Sequence, residues 1–289
     1  YSTHELLDPL LLCYSSLCET GMEAIANRNL LDVIRRIACF GLTLTRLDIR
    51  QESTRHSQVI AELCEFYKLG DYLSWNEEKK QEFLLAELHN HRPLLPKQAD
   101  LCSLDKNDQD SGFWNASDDA NEVLKTMSII AQQGDEGIAN YIISMASEPS
   151  DILAVALLLK ASGVNRKLPI VPLFETIGDL RHGPDILSGM FQVREYREYL
   201  RRQGDSQIAM LGYSDSTKDG GYLSACWSLY EGQRQLQAVA EEHGIELTFF
   251  HGRGGSLGRG GGPAARGILS LPSGTFHGSL RLTEQGEVL

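Results

Sequence analysis

The chain has 289 residues, of which 42% are hydrophobic and 23% charged, ordinary values for a globular protein with a sizeable core. Its net charge of −12, from 27 basic and 39 acidic residues, argues against a general nucleic-acid or anionic-membrane surface, although a small site can be locally basic within an acidic protein. The six cysteines (Cys13, Cys18, Cys39, Cys64, Cys102 and Cys226) contain no C-x-x-C pair and point to a reducing compartment.

Taken in chain order, the first forty residues predict helix. Leu6, Leu7, Leu10, Leu11, Met22, Ile25, Leu30, Val33, Ile34 and Ile37 recur at three- and four-residue spacing, and Gly41 is a natural stop. Leu42 to Arg50 alternates apolar and polar like a strand. A helix is expected from about Thr54 to Tyr67. Residues 70–120 are less regular, and the polar stretch from Lys97 to Asp119 reads as a surface excursion. Helix resumes near Asn121 to Gln132. Tyr141 to Met145 reads as a buried strand, followed by a helix capped by Ser150 or Asp151 and ending near Ala161. Further strands are expected at Leu168 to Phe174, Gln207 to Gly212, Ile245 to Phe250 and Ser279 to Thr283. The helices between them run from Pro184 to Arg202 and from Tyr222 to His243.

Strands separated by helices of this length imply parallel β-structure with crossover helices, an α/β fold built either as a doubly wound sheet or as a closed barrel. Chemistry then gathers at the carboxyl ends of the strands. The expected strand ends carry Arg50, Glu148, Glu175, Asp215, His251 with Arg253, and Glu284. Six polar strand ends suit a barrel mouth better than a linear crevice. The longest apolar runs, such as Ile152 to Leu159, are too short to span a bilayer. Tyr1 to Glu5 has no basic region followed by an apolar one. A soluble cytoplasmic protein is the expectation, and the abrupt ends suggest a piece of a longer chain.

Glu175 and Asp215 end successive expected strands. Two carboxylates converging there, with water and substrate oxygens completing the shell, are a usual way to hold Mg²⁺ or Mn²⁺; the alternative is a pair of solvated loop acids or helix caps. Lys218, three residues past Asp215, can reach an anionic substrate or stand as an exposed loop lysine. Arg50 can bind phosphate or form a salt bridge with Asp48 or Glu52. The run from Phe249 to Pro263 sets Arg253 and Arg259 among glycines. Exposed backbone N–H groups and arginine forks suit an anion-wrapping loop. Leu257 stands where a dinucleotide fingerprint needs its third glycine, and no G-K-[ST] occurs. An Arg-Gly RNA-binding tail is the rival, disfavoured by the preceding strand and the acidic chain.

Five motifs in order resemble phosphoenolpyruvate carboxylase of the bacterial type. They are Leu47-Asp48-Ile49-Arg50-Gln51-Glu52-Ser53, Pro172-Leu173-Phe174-Glu175-Thr176, Met210 to Gly221, Phe249 to Pro263, and Gly278 to Glu287. The resemblance covers essentially residues 1–289 as a single catalytic-barrel segment, and only the middle of the family's chain. It implies a (β/α)₈ TIM-barrel type with many extra helices, here an incomplete barrel of about six of eight strands. It implies carboxylation of phosphoenolpyruvate with bicarbonate to oxaloacetate and phosphate, through carboxyphosphate and an enolate, as anaplerotic supply to the tricarboxylic acid cycle.

Carried over by position, Glu175 and Asp215 are the expected ligands of Mg²⁺ or Mn²⁺. Lys218 is the expected active-site lysine, and Arg50 and Arg253 are expected on the phosphoryl group. Arg259 is expected near both the substrate and an acidic inhibitor such as aspartate or malate. The resemblance implies no nucleic-acid or membrane partner and a homotetramer for the complete enzyme. The family's T-A-H-P-T histidine motif is expected upstream of Tyr1, and further arginines beyond Leu289. The piece is therefore expected to be inactive alone or to persist as a phosphate-binding module.

Overall fold

The computed structural model describes residues 2–96, 114–133, 137–252, 268–276, 281–284 and 287–288. Contacts divide the chain into two units, Tyr1–Asp48 with Gln132–Ala139, and Ile49–Ala131 with Asn140–Leu289.

The first unit is helical. Helix α1 (Thr3–Glu19) starts from a capping box in which Ser2 and Glu5 each accept the other's backbone N–H. A short α2 (Glu23–Ile25) runs through a π-turn at Ala26–Leu30 into α3 (Leu31–Phe40). The Tyr14 hydroxyl donates to Asn27 Oδ1 at 2.8 Å. Gly41 ends α3 with φ 57°, as expected. The strand expected from Leu42 instead begins at Leu47. Leu44 adopts a left-handed φ of 64°, and the Thr45 N–H turns back to the Thr43 carbonyl at 2.8 Å. A left-handed residue cannot continue an extended run.

The second unit carries most of the sheet. The strands are β1 (Leu47–Glu52), β2 (Ile138–Ser144), β3 (Ile170–Phe174), β4 (Ser206–Gly212), β5 (Glu246–Gly252), β6 (Arg281–Glu284) and β7 (Glu287–Val288). They lie in sequence order. Strands β2 to β6 pair in parallel, and β7 pairs antiparallel with β6. The fold is α/β, as the alternation predicted. Ile142, Val171, Leu173, Met210 and Phe250 form one buried cluster with Ile208 against it. Each such side chain contributes roughly 1.5–3 kcal/mol by leaving water.

The crossovers are α4 (Ser53–Phe66), α5 (Glu77–His89), α6 (Asp118–Gln132), α7 (Pro149–Ala161), α8 (Ile177–Gln192), α9 (Arg194–Arg202) and α10 (Ser214–Glu242). Helix α5 lies in the segment read as irregular. It is highly charged and buries only Leu84, so little apolar periodicity announces it. Polar contacts pin it to α7. Glu77 accepts from the Ser150 N–H at 2.8 Å and its hydroxyl at 2.7 Å. Lys160 donates to the Leu88 and Asn90 carbonyls at 2.5 and 2.6 Å, satisfying carbonyls at the end of α5. Helix α7 is capped through Asp151, which accepts from the Ser147 and Glu148 N–H groups at 3.0 and 3.1 Å.

Two helix starts differ from the sequence reading. Pro184 lies inside α8, which begins at Ile177 behind a capping box of Thr176 and Asp179. Helix α10 reaches back to Ser214, with Gly221 (φ 79°, ψ 166°) marking a break inside it. The segment read as a loop around Asp215 is therefore a helical turn. No helix among the described residues is long and apolar enough to cross a membrane. Cys13, Cys18, Cys39, Cys64 and Cys226 are free thiols.

Candidate active site at the carboxyl ends of the strands

Parallel pairing of Phe174 with Leu211 sets Glu175, the first residue past β3, beside Gly212, the last of β4. The approach is close, since a Cβ on Gly212 would lie 2.9 Å from Glu175 Cα. From Gly212 the chain turns through Tyr213 into α10, carrying Asp215 and Lys218 on one helical face.

Glu175 is 6% exposed. Its Oε1 accepts from Arg50 Nη2 at 3.0 Å. Arg50 lies within β1 rather than after it, and its partner is Glu175, not the neighbouring Asp48 or Glu52 considered from sequence. Glu175 also accepts the Met145 backbone N–H and hydrogen-bonds to the Asp215 carboxyl. Asp215 Oδ1 in turn accepts from Lys218 Nζ at 2.9 Å. The four side chains predicted from sequence thus form one array in the order Arg50, Glu175, Asp215, Lys218.

The two carboxyls are unequal. Burial, together with the neighbouring Asp215, pushes Glu175 above the ordinary glutamate range, against the pull of Arg50 and the Met145 N–H. The hydrogen bond from Lys218 leads the causes that hold Asp215 below the ordinary aspartate range, with Glu175 and Arg50 acting in the same sense against burial. Like charges at hydrogen-bond range do not both ionise readily. Glu175 is therefore the harder of the two to ionise and Asp215 the easier.

A divalent cation fits this donor set. Both donors are hard oxygens, one is shielded from water, and a cation between them would offset the burial and the like charge that make Glu175 harder to ionise. Among the described residues no group of three or more His, Cys, Asp or Glu converges. The two carboxylates would hold the ion with water or substrate oxygens completing the shell, as Mg²⁺ commonly accepts.

Several supporting residues escaped the sequence reading. Met145 donates to Glu175 from a left-handed φ of 54°, and its carbonyl accepts from the Ser53 hydroxyl at 2.7 Å. Nothing in the sequence marks a methionine for that conformation. Asp179 accepts from the Glu175 and Thr176 N–H groups at 3.3 and 2.9 Å; the Thr176-x-x-Asp179 spacing was a legible capping signal. Asp219 accepts from the Ile177 N–H at 3.1 Å. The Tyr213 hydroxyl and His251 Nδ1 lie 2.8 Å apart, tying the ends of β4 and β5 together. Glu148 serves at the N-cap of α7, and Glu284 ends β6. Arg253 and Arg259 lie outside the described residues.

The fold and site define an α/β protein with an acidic pair at the carboxyl ends of adjacent parallel strands, flanked by an arginine and a lysine. Comparison with known proteins is more specific. The family model for phosphoenolpyruvate carboxylase matches residues 1–289, and the chain belongs to that family. Phosphoenolpyruvate carboxylase of Hahella chejuensis is 52% identical over 285 residues, covering 99% of this chain and 30% of the relative. That of Photorhabdus laumondii is 49% identical with the same coverage. That of Marinobacter nauticus is 48% identical over 289 residues, 100% of this chain and 31% of the relative. The chain thus spans about 30% of the length of these relatives.

Proposed function

We propose that this chain supplies the metal- and phosphoryl-binding part of a phosphoenolpyruvate carboxylase, a carboxy-lyase that joins phosphoenolpyruvate and bicarbonate into oxaloacetate and phosphate. The observation that carries the reading is the convergence of Glu175 and Asp215 between Arg50 and Lys218.

In this reading Glu175 and Asp215 hold Mg²⁺ or Mn²⁺. Once bound, the cation offsets negative charge on the phosphoryl and enolate oxygens. A bound cation would favour the charged form of Glu175, against the burial that disfavours it. Arg50 and Lys218 have side chains 51% and 74% exposed, so both heads can turn from the carboxylates to the phosphate. Arginine offers a bidentate fork for the phosphate oxygens and lysine a point charge. Burial of Glu175 keeps water from one side of the site, which suits an enolate and a carboxyphosphate that water would destroy.

Arg253 joins the phosphoryl contacts, and Arg259 serves both the substrate and an acidic inhibitor such as aspartate or malate. The parallel sheet belongs to a (β/α)₈ barrel, and the complete enzyme works in the cytoplasm as a homotetramer. The test uses the complete polypeptide, with oxaloacetate formation coupled to NADH oxidation. Glu175→Gln and Asp215→Asn are each expected to lower kcat/KM by at least ~10²-fold, about 2.7 kcal/mol of transition-state stabilisation, without changing the melting temperature by more than a few degrees. Activity within threefold of wild type in both variants would overturn the reading.

A further inference from the structure

We propose that Asp219 is a positioning residue that sets the separation of the Glu175 and Asp215 carboxylates. The inference rests on reading those two as metal ligands.

Three consecutive backbone N–H groups leave the end of β3, and each donates to a carboxylate. Those of Glu175 and Thr176 donate to Asp179, at 3.3 and 2.9 Å, which is local capping within α8. The third, from Ile177, donates to Asp219 Oδ2 at 3.1 Å, 42 residues away in α10. The first N–H groups of a helix have no partner inside it. Here one of them is satisfied by another helix, and that helix carries Asp215 one turn before Asp219.

A single helical turn is stiff, so Asp215 and Asp219 move as one body. Ile177 is two residues from Glu175 on the pinned backbone. The Asp219 carboxylate therefore joins the segment bearing one acid to the segment bearing the other. Two close approaches bracket the same junction. A Cβ on Gly212 would lie 2.9 Å from Glu175 Cα, and a Cβ on Gly220 would lie 2.1 Å from Ile177 Cδ1. The two segments are thus in contact at the strand ends before Asp215 and, after it, where Ile177 at the start of α8 meets Gly220 in α10, with Asp219 as the polar bond at the second contact. Groups that orient metal ligands from behind commonly govern affinity by 10–100-fold, because ligands must be held to about 0.5 Å.

The test has two readouts, both in the complete polypeptide. In the metal-free protein, hydrogen exchange at the amides of Glu175, Thr176 and Ile177 is compared between wild type and Asp219→Ala. Faster exchange at all three is expected, since loss of the clamp releases the whole segment. Acceleration confined to Ile177 would make Asp219 a simple cap and overturn the inference. Mn²⁺ alone is then titrated, with free ion followed by electron paramagnetic resonance. Asp219→Ala is expected to raise the Kd by roughly 10–100-fold. Asp219→Asn keeps an acceptor oxygen and is expected to stay within about threefold of wild type by the same argument. Equal weakening in both variants, or in neither, overturns the inference. If Asp219→Ala does not fold, Asp219→Ser takes its place in both measurements. Mn²⁺ affinity unchanged by Glu175→Ala and Asp215→Ala would sink the metal reading instead, and the exchange data would still decide whether Asp219 couples the two segments.

Discussion

Gly212→Ala is the most direct probe of how tightly the candidate site is built. Gly212 is not among the glycines with positive φ, so its backbone suits any residue, and the constraint is space alone. A new Cβ would stand 2.9 Å from Glu175 Cα and 3.3 Å from its Cβ and Cγ. Carbon atoms rest at about 3.5–4.0 Å. The nearest of these atoms is main chain and cannot rotate away, so the ends of β3 and β4 must part by several tenths of an ångström. Forcing a methyl into such a contact costs roughly 1–3 kcal/mol, a fall of about 2–10 °C in melting temperature for a chain of this size. Glu175 moves with its backbone, and Mn²⁺ affinity is expected to drop about tenfold. Gly189→Ala is the control, because Gly189 sits in α8 with nothing within 4 Å of its Cβ position. That exchange is expected to stabilise by ~0.5–1 kcal/mol. Urea unfolding by circular dichroism and a Mn²⁺ titration read both variants. Gly212→Ala with wild-type stability and Mn²⁺ affinity within threefold of wild type would refute the argument.

Two further outcomes concern the frame that holds the site. Burial, with Arg55 nearby, lowers the His56 pKa from 6.5 to about 3. Its Nε2 lies 2.7 Å from the Tyr141 hydroxyl, and its Nδ1 has no partner among the described residues. Above pH 6.5 the imidazole is neutral in both the folded and unfolded states and stability is unaffected. Between pH 6.5 and 3 only the unfolded chain takes the proton, so stability falls with falling pH, by up to ~5 kcal/mol. His56→Gln keeps a polar partner for Tyr141 without titrating, and its stability should decline less across that window; parallel wild-type and variant curves would contradict the buried neutral histidine. Tyr196→Phe removes the hydroxyl that donates to Gln207 Oε1 at 2.7 Å. Gln207 is 2% exposed, and its Nε2 is already committed to the Ile170 carbonyl at 3.0 Å. Loss of about 1–3 kcal/mol in urea unfolding is expected from the stranded acceptor, and an unchanged midpoint would refute it.

Local periodicity carried the reading of the sheet a long way. The apolar runs expected as strands at Tyr141 to Met145 and Gln207 to Gly212 fall in β2, which ends at Ser144 just before the left-handed Met145, and in β4, because buried parallel strands need near-continuous apolar sequence. Parallel pairing then follows from the helices between them. The same logic failed for α5, whose charged sequence buries only Leu84. It also misplaced the start of α8. Proline favours a first helical turn, yet the capping box of Thr176 and Asp179 started the helix earlier, and packing tolerated Pro184 inside it.

The candidate site divides the same way. Residue types and strand-end positions in the sequence were enough to nominate Arg50, Glu175, Asp215 and Lys218. The partners of those residues were decided only by the tertiary structure. Arg50 meets a carboxylate 125 residues away rather than the acids beside it, because β1 and the end of β3 converge in space. Met145 presents its N–H to Glu175 only through a left-handed turn, which no methionine announces in sequence. Asp219 reads as one more polar residue in a glycine-flanked run until α8 and α10 are packed and the Ile177 N–H needs an acceptor. Sequence patterns record which face of an element is buried, since that depends on neighbours a few residues away. Which groups surround a buried carboxyl, and which helix caps another, depend on distances that exist only after the chain has folded.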